Sequence, residues 1–450
     1  MDNRTLICET IEKHKEEILA AERHIWRNPE TGYKEWKTHA YLKDLYEKLG
    51  YRLTEFGDIP GFYTDIDTGR PGPCLAVFGE MDALIVPTHP ECDPETGAVH
   101  ACGHNCQSAA LYGLAAGLTA PGARDGLSGR IRLIAVPAEE LIELEYRQSL
   151  IDRGVIRFCG GKQELLARGI LDGVDLSLMV HTQASSGFTL TQGSNGCLIK
   201  RFVFTGKAAH AGSVPDKGRN ALYAANLAMN AANALRETFR DEDHVRFHPI
   251  ITAGGASVSA IPDLVTVEAY LRAATMEAIS RYNERIDRAF AAAAAAMDCG
   301  LRIIDRHGYA PRRYDPVMTE AVLAEADRLF PEDEIRPDCP FSGGCSDMGD
   351  ISCVMPVIHP QIGGASGSLH GSDMRITDPV LAAVTSAKLQ ALTVIRLLEN
   401  DAETARKAVR EARPQYGSIG EYLQAAEKLN FTADAVIPEE DGSIRLRFRP

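Results

Sequence analysis

The sequence predicts an α/β fold, with a mostly parallel sheet that carries helices on both faces and an inserted α+β domain of ferredoxin-like topology. Three observations support this. Over the first 190 residues, short apolar runs alternate with helical patterns, which favours a parallel sheet. The pattern then becomes β-α-β-β-α-β over about a hundred residues. Helical patterns resume near Thr319, which indicates that the chain returns to its first domain.

Length and composition limit the possible architectures and partners. The chain has 450 residues, 45% of them hydrophobic, and because single cores stop growing at about 250–300 residues we expect at least two domains. The formal net charge of −14 disfavours nucleic acid and anionic membranes as partners. Met1 to Glu17 is charged throughout and no run of about 18 apolar residues is available to cross a bilayer, so we expect a cytoplasmic protein. The 11 scattered cysteines are typical of reduced thiols.

The predicted elements of the first domain begin with helices. Thr5 to Leu49 is expected to form a pair of helices around a turn at Asn28–Gly32, and Gly50 closes the second as a C-cap glycine. We then expect strands at Cys74–Phe78, Ile131–Val136 and Leu176–Val180, with a helix at Cys106–Leu118. The carboxyl ends of parallel strands meet at one sheet edge, so polar residues there form a candidate site.

The inserted domain is expected at 191–308, between two parts of the first domain at 1–190 and 309–450. Its clearest predicted elements are Leu198–Phe204 and Ala260–Arg272 as strands, and Ala221–Phe239 and Met276–Met297 as helices. The returning part is expected to contain helices at Thr319–Leu329 and Pro379–Leu398. We assign the tail after about residue 400, with a last strand at Ser443–Phe448, to the first domain as an appendage.

Metal-binding residue types follow two of the predicted strands. The loop His100–His104 can direct the Cys102 thiolate and the His104 imidazole at one point, and both are good zinc ligands. Glu139 and Glu140 directly follow an apolar strand, where adjacent carboxylates repel each other unless a cation is near. With a metal present, one carboxylate can be a ligand while the other acts as a base. The alternatives are a buried thiol with a surface histidine, and a solvated carboxylate pair.

Two further histidines join this edge of the sheet. His181 ends the Leu176–Val180 strand, and His370 lies in a loop rich in glycine, which permits unusual backbone angles. Each histidine alone is a weak signal. Four segments that converge on one sheet edge favour a metal site over four independent structural explanations.

These motifs resemble the M20 metallopeptidase family, and within it the amidohydrolase branch with hippuricase, the indole-acetyl-amino-acid hydrolases and aminobenzoyl-glutamate hydrolase. The resemblance extends from about Glu22 to Leu397 and rests on Arg23–Glu30, Gly79–Ala83, His100–His104, Pro137–Glu140, His181, Gly206–Gly212 and His370. It implies two divalent metal ions, zinc or manganese, held by Cys102, His104, Glu140, His181 and His370, with Cys102 as the bridge.

The same resemblance implies roles for other residues. Glu139 is implied to be the general base that deprotonates a metal-bound water, and Asp82 to orient a metal ligand. His210 is implied to stabilise the oxyanion, often in the active site of a partner subunit, so we expect a homodimer. Arg272 resembles a position that meets a substrate carboxylate, and Ser259 replaces a usual substrate-contacting Asn. A solvated turn histidine and an ordinary surface arginine are the alternatives for His210 and Arg272.

The predicted function is metal-dependent hydrolysis of a small-molecule amide: an N-acyl amino acid, an aminobenzoyl-glutamate-like conjugate or a dipeptide. The alternatives are a carbamoyl- or amidino-group amidohydrolase of the same fold, a non-catalytic binder of amino-acid conjugates, and a redox or structural zinc protein. The intact Glu139–Glu140 pair argues against a binder, and the scatter of the cysteines against the last alternative. We predict that the charged stretch Leu141–Lys162 shapes the leaving-group or acyl pocket; an exposed charged helix is the alternative.

Overall fold

In the computed structural model, which describes residues 2–448, the chain forms two compact units. Unit 1 comprises the chain up to Gly193 together with Arg313–Phe341 and Asp350–Ile419. Unit 2 comprises Ser194–Arg312, Ser342–Gly349 and the chain from Gly420 onward. The predicted α/β fold class, with a mostly parallel sheet and an additional α+β module, is confirmed.

The central sheet of unit 1 has six strands. In spatial order they are Thr54–Glu55, Phe62–Asp67, Arg130–Val136, Cys74–Glu80, Leu176–Leu178 and Val357–Ile358. The last four pair in parallel, whereas the first two run antiparallel to their neighbours. All residues of Cys74–Glu80 are buried, as expected for a central strand that is covered on both faces. Four parallel strands, in consecutive positions, therefore end at one edge of this sheet.

Helices pack against this sheet and build one large hydrophobic core. The longer helices of unit 1 are Asn3–Lys13, Lys15–Arg27, Trp36–Lys48, His104–Leu118, Leu144–Asp152, Gly161–Ala167, Pro316–Ala326 and Ser386–Glu411. The predicted pair of N-terminal helices is a set of three, because His14 separates the first predicted helix into two. Smaller strands form a mixed sheet of Ile335–Cys339, Phe188–Thr191, Gln361–Ile362 and His181–Thr182, and the pairs Leu84–Ile85 with Ala98–Val99 and Ala365–Ser366 with Arg375–Ile376.

The helix His104–Leu118 is buried over all of its 15 residues, and its small side chains make this possible. A Cβ atom on Gly117 would lie 2.8 Å from the Cγ1 atom of Ile11, and one on Gly113 would lie 2.8 Å from the Cβ atom of Ala387. Larger residues would therefore push the neighbouring helices away. Because the helix is held on all sides, its first residue, His104, has a fixed position at the end of the sheet.

One helical segment, Val380–Glu411, is long and apolar enough to span a membrane by length and composition. The sequence analysis expected no such segment. In the structure, 72% of its most apolar window is buried, and Leu389, Val394 and Leu398 belong to the core of unit 1. Its hydrophobicity is thus used in packing. The segment starts with a π-helical stretch, Val380–Thr385, and has non-helical backbone at 399–402.

Unit 2 contains a β-α-β-β-α-β module. Its elements are Gly196–Thr205, Ala221–Ala234, Arg246–Ala253, Leu264–Ala273, Met276–Ala296 and Gly300–Tyr309. The strands form one antiparallel sheet in the spatial order second, third, first, fourth, so Arg246–Ala253 is an edge strand. Helices and sheet share a core in which the Phe202 and Phe290 rings are stacked, with centroids 3.8 Å apart.

The tail after residue 400, which the prediction assigned to the first domain, is divided: residues 401–419 belong to unit 1, whereas the chain from Gly420 onward belongs to unit 2. The strand Phe431–Pro438 pairs with Gly300–Tyr309 and adds a fifth strand to the sheet of unit 2, and Ile444–Leu446 adds a sixth. The physical reason is that the fourth strand of the module would otherwise expose unpaired backbone groups along its edge. The loop Ser342–Gly349 also belongs to unit 2 rather than to the returning part of the first domain.

Candidate metal centre

The candidate site lies in unit 1, where the parallel strands end. Asp82 follows the strand Cys74–Glu80, and Glu139 and Glu140 follow Arg130–Val136. His181 lies three residues after the end of the strand Leu176–Leu178. Sheet order alone therefore brings these side chains to neighbouring positions, as expected for the carboxyl edge of a parallel sheet.

The five predicted metal ligands come together in two groups that share one residue. Cys102, His104 and His181 form the first group, and Cys102, Glu140 and His370 form the second. In each group the potential ligand atoms lie within 4.8 Å of one another. The Cys102 sulfur lies 3.6 Å from His181 Nε2, and His370 Nε2 lies 3.3 Å from Glu140 Oε1. The thiol is thus common to two groups of candidate ligands.

Neighbouring backbone and carboxylate groups orient these ligands. His104 Nδ1 lies 2.9 Å from the carbonyl oxygen of Asp82 and 3.1 Å from its Oδ1 atom, so Nε2 points to the cluster. The Oδ2 atom of Asp82 accepts the backbone N–H of Glu140 at 2.7 Å. His181 Nδ1 contacts the carbonyl oxygen of Thr182 at 2.5 Å, and the backbone N–H of His370 donates to the Ala101 carbonyl at 2.8 Å. Asp82 therefore positions two ligands at once, the role expected for it.

The electrostatics of the cluster favour a thiolate. Although burial disfavours the charge, the adjacent His104 and His181 hold the pKa of the Cys102 thiol well below its ordinary range. Burial also disfavours a charged imidazole, yet Glu80 and the Cys102 thiolate raise the pKa of His104 well above its ordinary value. Burial, followed by the charge on Cys102, raises the pKa of Glu140 to about 6. These residues form a concentration of negative charge that protons, or metal ions in their place, must balance.

The donor set fits divalent metal ions. Within residues 2–448, neither His104 Nε2 nor Glu140 Oε1 meets the geometry of a hydrogen bond, although both atoms are buried. Buried polar atoms without such a bond are rare, and ligation of a metal would satisfy both of them. Thiolate and imidazole favour zinc, whereas imidazole and carboxylate also suit manganese.

Glu139 belongs to neither of the two groups that share Cys102, but it forms a further candidate group with His104 and Glu140 and another with Glu80 and Asp347. It is 7% exposed, and one of its carboxylate oxygens lies within 4.8 Å of the ligand atoms of His104 and Glu140. The preceding Ala138 has a φ of 56°, in the left-handed region that costs a non-glycine residue roughly 1–2 kcal/mol. Its backbone N–H donates to Glu35 Oε1 at 2.7 Å, and its carbonyl accepts the N–H of Gly161 at 2.9 Å. The surrounding contacts thus hold a strained turn directly before the two glutamates.

Arg147 is a supporting residue that the sequence analysis did not identify. Its side chain is 0% exposed and donates to the carbonyl oxygens of Glu140 and Cys159, the latter at 2.6 Å. The guanidinium carbon lies 5.6 Å from the centroid of the Tyr33 ring. A Cβ atom on Gly32 would lie 2.4 Å from an Arg147 nitrogen, so only glycine leaves room for this side chain. Arg147 belongs to the stretch Leu141–Lys162, which we predicted to shape a pocket, with an exposed charged helix as the alternative.

A second buried cation from the same stretch also supports the site. Lys162 is fully buried and donates to one carboxylate oxygen of Glu80. The other carboxylate oxygen of Glu80, Oε2, lies 3.3 Å from His104 Nε2. The chain Lys162–Glu80–His104 therefore links the charged stretch to a candidate ligand. The sequence signal for this contact was Glu80, the acidic residue that ends the otherwise apolar strand Cys74–Glu80.

We predict that Arg147→Met destabilises the protein by about 2–4 kcal/mol, because two buried carbonyl groups lose their donor. Turnover should fall by about tenfold or more as the Glu139–Glu140 turn loses its support. Urea denaturation and kcat of metal-replete protein measure the two effects. The control is Arg153→Met, at the exposed end of the same helix. Equal unfolding midpoints for the two variants would contradict the prediction.

The remaining predicted site residues lie in unit 2. His210 is exposed on a turn, where its Nδ1 atom accepts the backbone N–H groups of Gly212 and Ser213 at 3.1 and 3.2 Å. In the neutral ring the proton is then on Nε2, which becomes a hydrogen-bond donor. Ser259 is adjacent, because its carbonyl accepts the N–H of Ala211 at 2.9 Å. The structure thus brings His210 and Ser259 together.

Arg272 lies elsewhere in unit 2, in the sheet. It is directly opposite Cys197 on the neighbouring strand, and its Nη1 atom lies 3.5 Å from the sulfur of Cys345. Within the part of the chain that the structure describes, no carboxylate oxygen lies within 4.0 Å of its guanidinium nitrogens. A partly buried cation without a carboxylate partner is a suitable site for an anionic group.

Known proteins share this fold and these motifs. Residues 190–298 match the profile of the peptidase dimerisation domain of M20 enzymes. The chain is 27% identical to the Xaa-Arg dipeptidase of Homo sapiens over 388 residues, 81% of each protein. It is 32% identical to the indole-3-acetyl-aspartic acid hydrolase of Enterobacter agglomerans over 257 residues, 54% of this chain and 53% of that enzyme.

A solved structure with the same fold is the dinuclear metal-binding M20 peptidase of Bacillus subtilis, with a TM-score of 0.64 and 20% identity over 86% of this chain and 99% of that one. Residues 190–298 are therefore an M20 peptidase dimerisation domain, and the neighbours of the chain in sequence and in fold include M20 enzymes. The chain is a metallo-hydrolase that acts on small amides.

Proposed function

We propose that this protein is a dinuclear metal-dependent amidohydrolase that releases an amino acid from an N-acyl amino acid, an aminobenzoyl-glutamate-like conjugate or a dipeptide. The observation that carries the proposal is the position of Cys102. Its thiol is common to two groups of ligand atoms, and the buried carboxylate of Glu139 lies beside them without being part of either group. A single structural metal would need neither the shared thiol nor the additional carboxylate.

Five residues would hold the metal ions: Cys102, His104, Glu140, His181 and His370. When bound, two zinc or manganese ions would polarise the amide carbonyl and make water a nucleophile near neutral pH. The thiolate and the carboxylate of Glu140 would supply the negative charge that two such cations require.

Glu139 would move the proton. As general base it takes a proton from the attacking water, and as general acid it then gives that proton to the leaving amine nitrogen. Burial suits this role because few water molecules compete for the carboxylate. The turn held by Glu35, Gly161 and Arg147 fixes the carboxylate in place, so little orientation entropy is lost in the reaction.

Three residues of unit 2 would serve the substrate. His210 would donate its Nε2–H to the carbonyl oxygen as negative charge develops there. Arg272 would bind the carboxylate of the amino-acid portion of the substrate, because no carboxylate of residues 2–448 forms an ion pair with its guanidinium group. Ser259, next to the His210 turn, would contact the substrate with a shorter side chain than the Asn usual in the family, so the substrate preference of relatives does not transfer directly.

The test is a panel of N-acyl amino acids, aminobenzoyl-glutamate and dipeptides, incubated with protein loaded with zinc or manganese. We expect release of an amino acid from at least one of them, detected by mass spectrometry, and no release after chelation. Carbamoyl and amidino compounds form the second arm. Release of ammonia from that arm alone would contradict the proposal, as would inactivity of metal-replete protein on every substrate.

We also propose that the protein is a homodimer formed through unit 2. The matched profile is that of a dimerisation domain, and unit 2 exposes apolar side chains on an edge strand and a helix. Ile250 on the edge strand Arg246–Ala253 is 63% exposed, and Tyr223 on the helix Ala221–Ala234 is 64% exposed. An edge strand with exposed apolar residues is well suited to pair with a second copy of itself.

Ile250→Asp is expected to convert the dimer to a monomer, because it places a charge in an apolar contact next to unpaired strand backbone. Size-exclusion chromatography with light scattering measures the mass. Val409→Asp is the control, since Val409 is an exposed apolar residue of unit 1. The proposed interface would be wrong if Ile250→Asp kept the mass of the parent dimer.

A further inference from the structure

Unit 2 contains two cysteines that face each other beside an arginine. Cys197 lies in the strand Gly196–Thr205 and is 2% exposed. Arg272 is its direct partner across the sheet. Cys345 lies in the loop Ser342–Gly349, is partly exposed, and has its sulfur 3.5 Å from Arg272 Nη1. Both thiols therefore lie beside Arg272, so three reactive or charged groups meet at one point.

The environment distinguishes the two thiols. Although burial opposes ionisation, the neighbouring Cys197 thiol and the charges of Arg272 and Arg312 lower the pKa of Cys345. The neighbouring Cys345 and burial of the side chain raise the pKa of Cys197 well above its ordinary value. Cys345 is therefore the nucleophile of the pair, and Cys197 is the proton donor.

The second feature of this cluster is that Arg272 has no carboxylate partner among residues 2–448. Arg272 has no described carboxylate within 4.0 Å, and its Nε atom is buried without a hydrogen bond to residues 2–448. A guanidinium in such surroundings stabilises an anion at the neighbouring position. In the protein without substrate, the Cys345 thiolate is the anion that the structure places there.

We propose that Cys345 and Cys197 form a peroxide-sensitive thiol pair that closes reversibly to a disulfide and ties the loop Ser342–Gly349 to the sheet of unit 2. The Cys345 thiolate attacks one oxygen of hydrogen peroxide, the O–O bond breaks, and hydroxide leaves, so Cys345 becomes a sulfenic acid. The Cys197 sulfur then attacks the Cys345 sulfur, the S–O bond breaks, and the proton of Cys197 leaves with the oxygen as water. In sum, two thiols and one peroxide give one disulfide and two waters.

The loop can make the required movement. In a disulfide the two sulfurs are about 2.05 Å apart, which is closer than the sulfurs of two thiols that are not covalently bonded. Gly343 and Gly344 directly precede Cys345, and a Cβ atom on Gly343 would meet no other atom within 4 Å. On the strand side, Gly308 leaves room for Cys197, since a Cβ atom there would lie 2.6 Å from the Cys197 sulfur. The thiol on the loop therefore moves towards a thiol held by the sheet.

The test uses the full-length protein and hydrogen peroxide. After exposure to peroxide, free thiols are alkylated, and the digested protein is analysed by mass spectrometry with and without reduction. We expect a peptide that links Cys197 to Cys345 and disappears with dithiothreitol. In Cys197→Ser, Cys345 should instead accumulate as a sulfenic acid that dimedone traps. Absence of the linked peptide at peroxide levels that oxidise Cys345 further would overturn the proposal.

Two comparisons of alkylation rates test whether the residues around Cys345 increase its reactivity. Iodoacetamide at neutral pH should label Cys345 at least about tenfold faster than Cys339, which is also partly exposed and whose thiol donates to the Arg336 carbonyl. Arg272→Met should reduce the labelling rate of Cys345 and leave that of Cys339 unchanged. If Cys345 reacted no faster than Cys339, the proposed thiolate would be wrong. All readouts are independent of hydrolytic activity, so their outcome is separate from that of the proposed function.

Discussion

Glu139→Gln is expected to reduce turnover by about 10²–10⁴-fold while the metal content stays at the level of the parent protein. The amide keeps the size of the side chain and its hydrogen-bonding capacity, but it cannot accept a proton from water. Metal binding should persist because the two ligand groups that share Cys102 do not include Glu139. The measurements are kcat on the best substrate of the panel and metal content by elemental analysis.

The matched control for this variant is Glu95→Gln, an exposed glutamate of unit 1 that lies outside the candidate metal groups. It should keep the parent rate. Two results would count against Glu139 as the base. One is a near-normal rate in Glu139→Gln with full metal content. The other is loss of metal together with loss of rate, which would make Glu139 a ligand.

The metal ligands could be located from the sequence because they obey a local rule. Glu140 and His181 follow short apolar runs, and parallel strands place such residues on one edge. Cys102 and His104 lie two residues apart at the start of a helix, so their proximity is local as well. His370 was the exception, because nothing near it in the chain fixes its position; only its resemblance to a family motif pointed to the site.

The supporting residues could not be predicted in this way. Arg147 and Lys162 occur in a charged stretch, and charged residues are rarely fully buried, so an exposed helix remained an alternative to the predicted pocket. Lys162 is buried against an acceptor far away in the chain, Glu80, 82 residues from it, and Arg147 packs on the ring of Tyr33, which is also distant in sequence. The tail is a similar case, since Phe431–Pro438 pairs with a strand more than a hundred residues earlier. Contacts of this kind leave no periodic pattern near the residues that make them.

Cys102→Ala is expected to remove most of the metal and to lower the activity by at least about 10³-fold. This effect should be larger than that of losing any other candidate ligand. The reason is that Cys102 is the one residue common to both ligand groups. His181→Ala and His370→Ala each remove a ligand from one group, so each should leave the other group able to bind. Elemental analysis after dialysis should therefore give clearly less metal for Cys102→Ala than for either histidine variant.

Cys106→Ala separates loss of the ligand from loss of a buried thiol. Cys106 is 0% exposed on the same helix, two residues after His104, and is not part of either ligand group. It should keep both metal and activity, with a modest decrease in stability from the small cavity. Without metal, Cys102→Ala should be at least as stable towards unfolding as Cys106→Ala, because the Cys102 substitution removes a buried charge. If Cys102→Ala retained the parent metal content and rate, the thiol would not be a bridge, and the dinuclear centre would lose its main support.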